Sequence, residues 1–231
     1  MRVLGIIPAR GGSNGIPRKN IRLLAGRPLL AYTAEAARKA RRLTKVVLST
    51  EDAEIAEVGR QCGLDVPFMR PPELASDDTP TLPVVQHALR ALQERGENFD
   101  AVCLLQPTNP LRGPDLIDGC IALLEESDAD SVITVLPVPP EHNPHWVYFR
   151  DKHGHLRIST GEKNPIPRRQ DLPPAFHREG SVYVTRCQVV IGENNLYGEK
   201  VMGFPVEHAA SVNLDSLADW VRAEEALLVH K

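Results

Sequence analysis

The sequence is short of several features that would have pointed elsewhere. Only 5% of its 231 residues are aromatic. Its four cysteines, Cys62, Cys103, Cys120 and Cys187, lie far apart with no CxxC pair, which argues against a disulfide scaffold, a zinc ribbon or a thiol redox motif. Cys103 sits in an apolar run and reads as a buried reduced thiol. Positive charge is not in excess: 27 Lys and Arg against 30 Asp and Glu give a formal net charge of −3, the wrong balance for a chain that coats nucleic acid. No apolar run approaches the roughly 20 residues of a membrane span. MRVLGII passes straight into a glycine loop, leaving no room for a signal peptide. Neither GxxxxGK[ST] nor GxGxxG occurs, so a Walker loop and a dinucleotide fingerprint are both missing. The expectation is a cytoplasmic protein with neither a nucleic acid nor a membrane as partner.

What is present suits a buried α/β core. Hydrophobic residues make up 42% and are mainly Leu, Val, Ile and Ala. Short apolar runs alternate with longer amphipathic ones. RVLGIIPA, TKVVLST, FDAVCLLQP and ADSVITVLPV read as strands. PLLAYTAEAARKARRL, EDAEIAEVGRQCG, TLPVVQHALRALQERG and PDLIDGCIALLEES read as helices, the first with Leu30, Thr33, Ala34 and Ala37 on one face. The alternation predicts a largely parallel sheet covered on both faces. Ligands in such sheets bind beyond the carboxyl ends of the strands, where ARGGSNG, STED and QPTNPLR fall. From Pro137 the pattern breaks into a stretch to Phe176 that holds eight of the 20 prolines, too long for an ordinary loop. SVYVTRCQVVI and KVMGFPV resume strand character, and SLADWVRAEEALLVHK closes as an amphipathic helix with Trp220 in the core.

Chemistry concentrates in IPARGGSNGIPRKN at residues 7–20. Gly11, Gly12 and Gly15 let backbone come close to a ligand, and consecutive N–H groups in such a loop make an anion nest. Arg10, Arg18 and Lys19 bring positive charge to the same place. The histidines show no metal spacing, and His153 and His155 fall in a polar turn. No local motif supports a Ser-His-Asp or Cys-His arrangement.

This segment resembles the acylneuraminate cytidylyltransferase family, whose usual form reads IPARGGSKGIPRKN. The likeness continues through RPPELASDDTP at 70–80, LLQPTNPLR at 104–112, RRQDLP at 168–173 and FHREGSVYV at 176–184, in the expected order and over nearly the whole chain. The resemblance implies a three-layer, mostly parallel α/β fold of the nucleotide-diphospho-sugar transferase (Rossmann-like) type. It implies one domain over 1–231, with 137–175 as a dimerisation and acceptor-site excursion. The implied reaction couples CMP from CTP to an acidic 2-keto sugar and releases pyrophosphate, in a homodimer with Mg²⁺. Arg10 and Lys19 match residues that hold the CTP phosphates, and Gly11, Gly12, Ser13, Asn20, Arg70 and Ser76 fall to the nucleotide. Gln106 matches the glutamine that meets the sugar acid, and Arg169 an arginine facing its carboxylate.

Several positions depart from the family pattern. Its acidic Mg²⁺ pair before the last helix is here Asn213 and Asp215, so the ion would rest on few protein carboxylates. The competing reading of Asp215, less favoured than a metal ligand, is a helix N-cap, with Asp219 an ordinary first-turn charge. Asn14 replaces a lysine, a charge that Arg18 would partly supply. His177 stands where an arginine is common, which opens the acceptor to other nonulosonic acids. Other acceptors of the same fold remain as alternatives: a 3-deoxy-octulosonate, a sugar 1-phosphate or a phosphonate, with CTP or GTP. So does a non-catalytic nucleotide-binding homologue.

Overall fold

A computed structural model describes residues 1–13, 15–207 and 212–229. Asn14, His208 and His230 lie outside them. The first strand shows how the layers are made. In β1 (Val3–Pro8) side chains alternate: Val3 and Ile7 join one apolar cluster, Leu4 and Ile6 the other. A strand with both faces apolar needs cover on both sides, and the amphipathic helices supply it. α1 (Leu29–Lys39), α2 (Ala53–Gln61) and α4 (Pro114–Glu126) place Leu30, Ala34, Ile55, Ile117 and Ile121 in the first cluster. α3 (Thr81–Gln93) places Val85, Ala88, Leu89 and Leu92 in the second. The predicted face of α1 is correct, with Leu30, Thr33, Ala34 and Ala37 all buried. The helix stops short of the predicted Leu43. The backbone N–H groups of Arg41 and Arg42 turn instead to the Asp118 carboxylate, at 3.0 and 2.8 Å.

The central sheet adds β4 (Lys45–Ser49), β5 (Ala101–Leu104), β6 (Ser131–Pro137), β9 (Phe176–Arg186) and β10 (Val201–Pro205). Its order is β10-β6-β9-β5-β1-β4. β1 runs parallel to both β4 and β5, and β10 runs parallel to β6. Only β9 opposes its neighbours, antiparallel to β5 and β6 at once. The expected mostly parallel, three-layer α/β fold is therefore present.

One predicted strand is half wrong. SVYVTRCQVVI reads as continuous β, but β9 ends at Arg186 and α5 (Cys187–Gly192) follows. Tertiary contacts override the β-branched run. Cys187 N–H donates to the Asp100 carbonyl just before β5 (2.8 Å), and the Gln86 side-chain amide donates to the Val190 carbonyl (2.8 Å). Val190 then packs into the second cluster beside α3.

A small hairpin of β2 (Leu23–Leu24) and β3 (Arg27–Pro28) precedes α1. It meets α6 (Leu217–Val229) in a third cluster of Ile16, Leu24, Leu29, Leu214, Trp220 and Ala223. The C-terminal helix is thus packed against the glycine loop, and Trp220 is core as expected. The Pro-rich excursion has its own frame, a hairpin of β7 (Tyr148–Arg150) and β8 (Leu156–Ile158). Trp146 Nε1 donates to the Ile166 carbonyl (2.7 Å) and Asn143 Nδ2 to the Pro173 carbonyl (2.9 Å). Among the described residues, no helix is long and apolar enough to cross a membrane.

Candidate active site

Beyond the carboxyl ends of β1, β4 and β5 lies a cavity of about 290 Å³. Three of its walls come from the segments that the sequence singled out. The glycine loop after β1 contributes Arg10, Gly12, Ser13, Lys19 and Asn20; the 70–80 segment contributes Arg70, Ser76, Asp77 and Thr79; the loop after β5 contributes Gln106, Pro107 and Thr108.

Packing shapes the glycine loop before any ligand arrives. The Gly11 N–H donates to Glu51 Oε1 (2.6 Å), and a Cβ on Gly11 would stand 2.6 Å from Asp52 Oδ2. That N–H is therefore already engaged, and Gly11 does not line the cavity; its smallness serves the close approach of the β4–α2 loop. Gly12 meets nothing within 4 Å and remains open. Gly15 is needed because a Cβ there would strike the Asp215 carbonyl. Asn20, buried, donates from Nδ2 to the Arg10 carbonyl (2.9 Å) and accepts at its own carbonyl from Leu30 N–H (2.9 Å).

The cations separate into three kinds. Arg10 reaches the cavity and meets Asp77 Oδ1 at 2.5 Å. Lys19 donates from Nζ to the Leu214 carbonyl (2.9 Å) and lies 4.0 Å from Asp215 Oδ1. Burial pulls the Lys19 pKa below its usual value, Asp215 opposes that, and the Arg10 charge adds to it. Arg70 lines the cavity but is only 4% exposed, and its guanidinium is occupied by Ser49 Oγ (3.2 Å), the Ser49 carbonyl and the Leu74 carbonyl (3.4 Å). Its geometry is that of a brace pinning the 70–80 segment to the end of β4. Arg18 corrects an expectation. It adopts φ 54° and turns away, gripping Asp52 (2.5 Å) and Glu54 (2.5 Å), so it does not replace the charge missing at Asn14.

The segment before α6 removes the helix-cap alternative for Asp215. Ser216 caps the helix: its N–H donates to Asp219 Oδ2 (2.7 Å), and its Oγ accepts from Asp219 N–H (3.3 Å). This is a capping box, so Asp219 does the terminus work and Asp215 is free of it. Hydrogen bonds from Ser216 and then Arg222 hold the Asp219 carboxyl down at about 2. Asp215 is exposed, with Asn213 Nδ2 donating to its Oδ2 (2.7 Å). Among the described residues, no group of three or more His, Cys, Asp or Glu could hold a metal ion. One carboxylate and one carboxamide oxygen are hard donors that suit Mg²⁺, an ion that keeps waters and takes substrate phosphates.

The structure brings Arg10, Gly12, Ser13, Lys19, Asn20, Arg70, Ser76 and Gln106 to one cavity, and Asp215 and Asn213 beside it. It does not bring Arg169 or His177 there. Arg169 opens a turn in the excursion, and His177 lies exposed on β9 opposite Leu136. Arg178, its neighbour, donates to Tyr197 Oη (2.7 Å). Sequence reasoning missed Asp77, which holds Arg10, and Thr108, whose Oγ1 is buried in the cavity wall without a hydrogen-bond partner. Both lie inside motifs already quoted, so their residue types were legible but their contacts were not.

A cavity at the strand ends of a mostly parallel sheet, lined by Arg10, Lys19 and Arg70, is the setting in which α/β proteins bind nucleotides. The cytidylyltransferase family pattern matches residues 4–193. The chain is 32% identical to CMP-N,N'-diacetyllegionaminic acid synthase of Legionella pneumophila, over 98% of this chain and 97% of that one. It is 30% identical to pseudaminic acid cytidylyltransferase of Campylobacter jejuni, over 95% and 93%. Against N-acylneuraminate cytidylyltransferase A of Danio rerio it is 32% identical over 98% of this chain, which spans 51% of that longer protein. Among solved structures, CMP:2-keto-3-deoxy-manno-octonic acid synthetase complexed with CTP shares the fold, with a TM-score of 0.76 at 14% identity over 100% of both chains. The chain belongs to the cytidylyltransferase family.

The capping box predicts a pH dependence. Because the folded Asp219 pKa is depressed, its contribution is present above the ordinary aspartate value and lost as pH falls toward about 2. Asp219→Asn should lower the unfolding free energy at pH 7 by about 1 kcal/mol. Urea titrations should show that gap closing between about pH 4 and pH 2; a gap that persists at low pH would contradict the assignment.

Proposed function

We propose that the protein transfers CMP from CTP to an acidic 2-keto sugar of the nonulosonic class, releasing pyrophosphate. The observation that carries this reading is the convergence of Arg10, Lys19 and Gln106 on one strand-end cavity, in a chain alignable end to end with synthases of CMP-nonulosonic acids. The acceptor's anomeric hydroxyl oxygen forms a bond to the α-phosphorus as the bond to the pyrophosphate oxygen breaks, and the hydroxyl proton passes to water. Such transfers demand positioning and charge neutralisation rather than a protein nucleophile. Arg10 and Lys19 supply that neutralisation, Lys19 from a partly dry setting where its charge acts strongly. The open Gly12 and Ser13 take the phosphate chain, while Ser76 and Thr79, linked through their hydroxyls at 2.6 Å, face the nucleoside. Gln106 offers its amide to the acceptor.

Asp215 and Asn213 are the residues that would hold Mg²⁺. The ion would polarise the phosphates and offset charge on the leaving group. The exposed Tyr148, Phe149 and Leu156 of the excursion, with Phe176 at the start of β9, support a homodimer in which that arm, with Arg169 and His177, serves a partner's acceptor site. Four free cysteines suit a cytoplasmic setting, where thiols stay reduced.

The deciding assay is pyrophosphate release with each of the four nucleoside triphosphates and a panel of acceptors. Neuraminate, legionaminate and pseudaminate forms, a 3-deoxy-octulosonate and sugar phosphates would make up that panel. Turnover confined to CTP and one nonulosonic acid is expected; turnover with GTP or a sugar phosphate would reassign base or acceptor. Silence throughout, with CTP still bound, would leave a nucleotide-binding homologue. Asp215→Asn should raise the Mg²⁺ concentration for half-maximal rate by about tenfold with metal-free CTP binding intact. An unchanged Mg²⁺ dependence would remove Asp215 from the metal. Light scattering at micromolar concentration should return twice the 25.5 kDa chain mass, and a monomer would sink the dimer.

A further inference from the structure

Behind the loop that carries Gln106 sits a guanidinium with no part in the reaction outlined above. Arg112 is 5% exposed, and burial pushes its pKa down to about 10, which leaves it charged at neutral pH. Its fork donates to three oxygens on three different elements. Nη2 meets the Gln106 carbonyl (2.6 Å), Nε the Ser181 carbonyl on β9 (2.7 Å), and Nη1 the Thr33 hydroxyl on α1 (3.3 Å).

Burying a guanidinium is expensive, and an apolar side chain of similar length would fill the space without that cost. What an apolar side chain cannot do is hold three acceptors in one plane, for which a rigid fork is suited. Apart from Leu214 N–H, which donates to the Thr108 carbonyl (2.9 Å), the loop around Gln106 has little support of its own. Asn109 N–H reaches the Gln106 carbonyl only at 3.5 Å, and Thr108 Oγ1 and Asn109 Oδ1 are buried without partners. The backbone carbonyl that Arg112 grips belongs to the residue whose side chain lines the cavity.

We propose that Arg112 is a positioning residue that acts through Gln106, setting the direction in which its amide meets the acceptor and leaving the nucleotide side of the cavity untouched. This rests on the reading of Gln106 as the acceptor contact. Because Arg112 grips the carbonyl and not the side chain, it orients Gln106 without competing for the amide. Its ties to α1 and β9 make the position of that amide depend on the core on one side and the antiparallel strand on the other.

The test compares wild type, Arg112→Lys, Gln106→Ala and the double variant. Acceptor KM comes from pyrophosphate release, and CTP Kd from calorimetry without acceptor. Arg112→Lys keeps the charge and loses the fork. It should raise acceptor KM about tenfold with CTP Kd within about twofold, a split that general loosening of the fold would not produce. In the Gln106→Ala background the same substitution should change acceptor KM by less than about twofold, because two residues acting through one contact do not add. If Arg112→Lys does not fold, Thr33→Val removes one arm of the fork from outside the cavity. It should raise acceptor KM by about threefold, again with CTP binding kept. Equal rises in both constants, multiplying effects in the double variant, or no rise in any variant would overturn the proposal. A wild type that binds CTP but turns over no acceptor would instead defeat the underlying functional reading, and the proposal with it.

Discussion

Three cations line one partly buried cavity, and the surrounding chain sets oxygens against each of them. Arg10, Lys19 and Arg70 all line it; burial pulls the pKa of Lys19 and Arg70 down, and the Arg10 charge adds to that. Each cation is steadied by oxygens from a different part of the sequence. Asp77 meets Arg10, the Leu214 carbonyl and Asp215 attend Lys19, and Glu51 offsets Arg70 from beneath the glycine loop. Those oxygens draw the 70–80 segment, the segment before α6 and the β4–α2 loop onto the end of the sheet. The same electrostatic need that assembles the site also ties the C-terminal helix to the N-terminal loop. Substrate phosphate entering the cavity would compete for the same cations. The Arg10–Asp77 pair is part exposed and so weakly held, which makes it the contact most readily exchanged for a phosphate oxygen. Arg70, buried and tied to backbone carbonyls, is the least exchangeable.

Glycine in this loop serves packing as much as ligand approach. Gly11 and Gly15 are required by protein atoms, the Asp52 carboxylate and the Asp215 carbonyl, while Gly12 alone faces open space. Asp52 in turn caps α2, accepting from Ile55 N–H at 2.9 Å, and binds Arg18. A helix cap, a salt bridge and a tight loop thus share one carboxylate. A pattern that reads in one dimension as an anion nest is in three dimensions a joint between loop and helix, with a narrower opening for the ligand.

Much of the fold was legible because it depends on periodicity. The apolar run RVLGIIPA marked a buried strand, and Leu30, Thr33, Ala34 and Ala37 marked the buried side of α1. The placing of the cavity followed from strand order and from motifs falling at strand ends. What could not be read were matters settled between distant residues. Val189 and Val190 favour β locally, but Gln86, over a hundred positions away, takes the Val190 carbonyl and the segment coils. Arg18 and Lys19 are neighbours with the same charge, yet one turns to Asp52 and the other to Leu214, because φ at Arg18 is positive. Asp215 and Asp219 both suited a helix start, and Ser216 between them decided which one capped it.

The cavity also shows an imbalance that bears on how the protein works. The walls that carry Arg10, Lys19 and Arg70 are each tied to other parts of the chain. The residues expected on the acceptor side divide: Gln106 is in the cavity wall, but Arg169 and His177 belong to the excursion and the outer end of β9. That excursion spends hydrogen bonds on its own shape, through Trp146 and Asn143, while leaving Phe149 at 60% and Leu156 at 63% exposure. Those side chains are the apolar part of an otherwise charged and polar exposed face. If its partner is a second copy, each acceptor site is completed only on assembly, whereas CTP can bind each chain alone. Nucleotide affinity would then be independent of protein concentration and acceptor turnover would not be, an asymmetry that follows from where Arg169 lies rather than from any property of the nucleotide site.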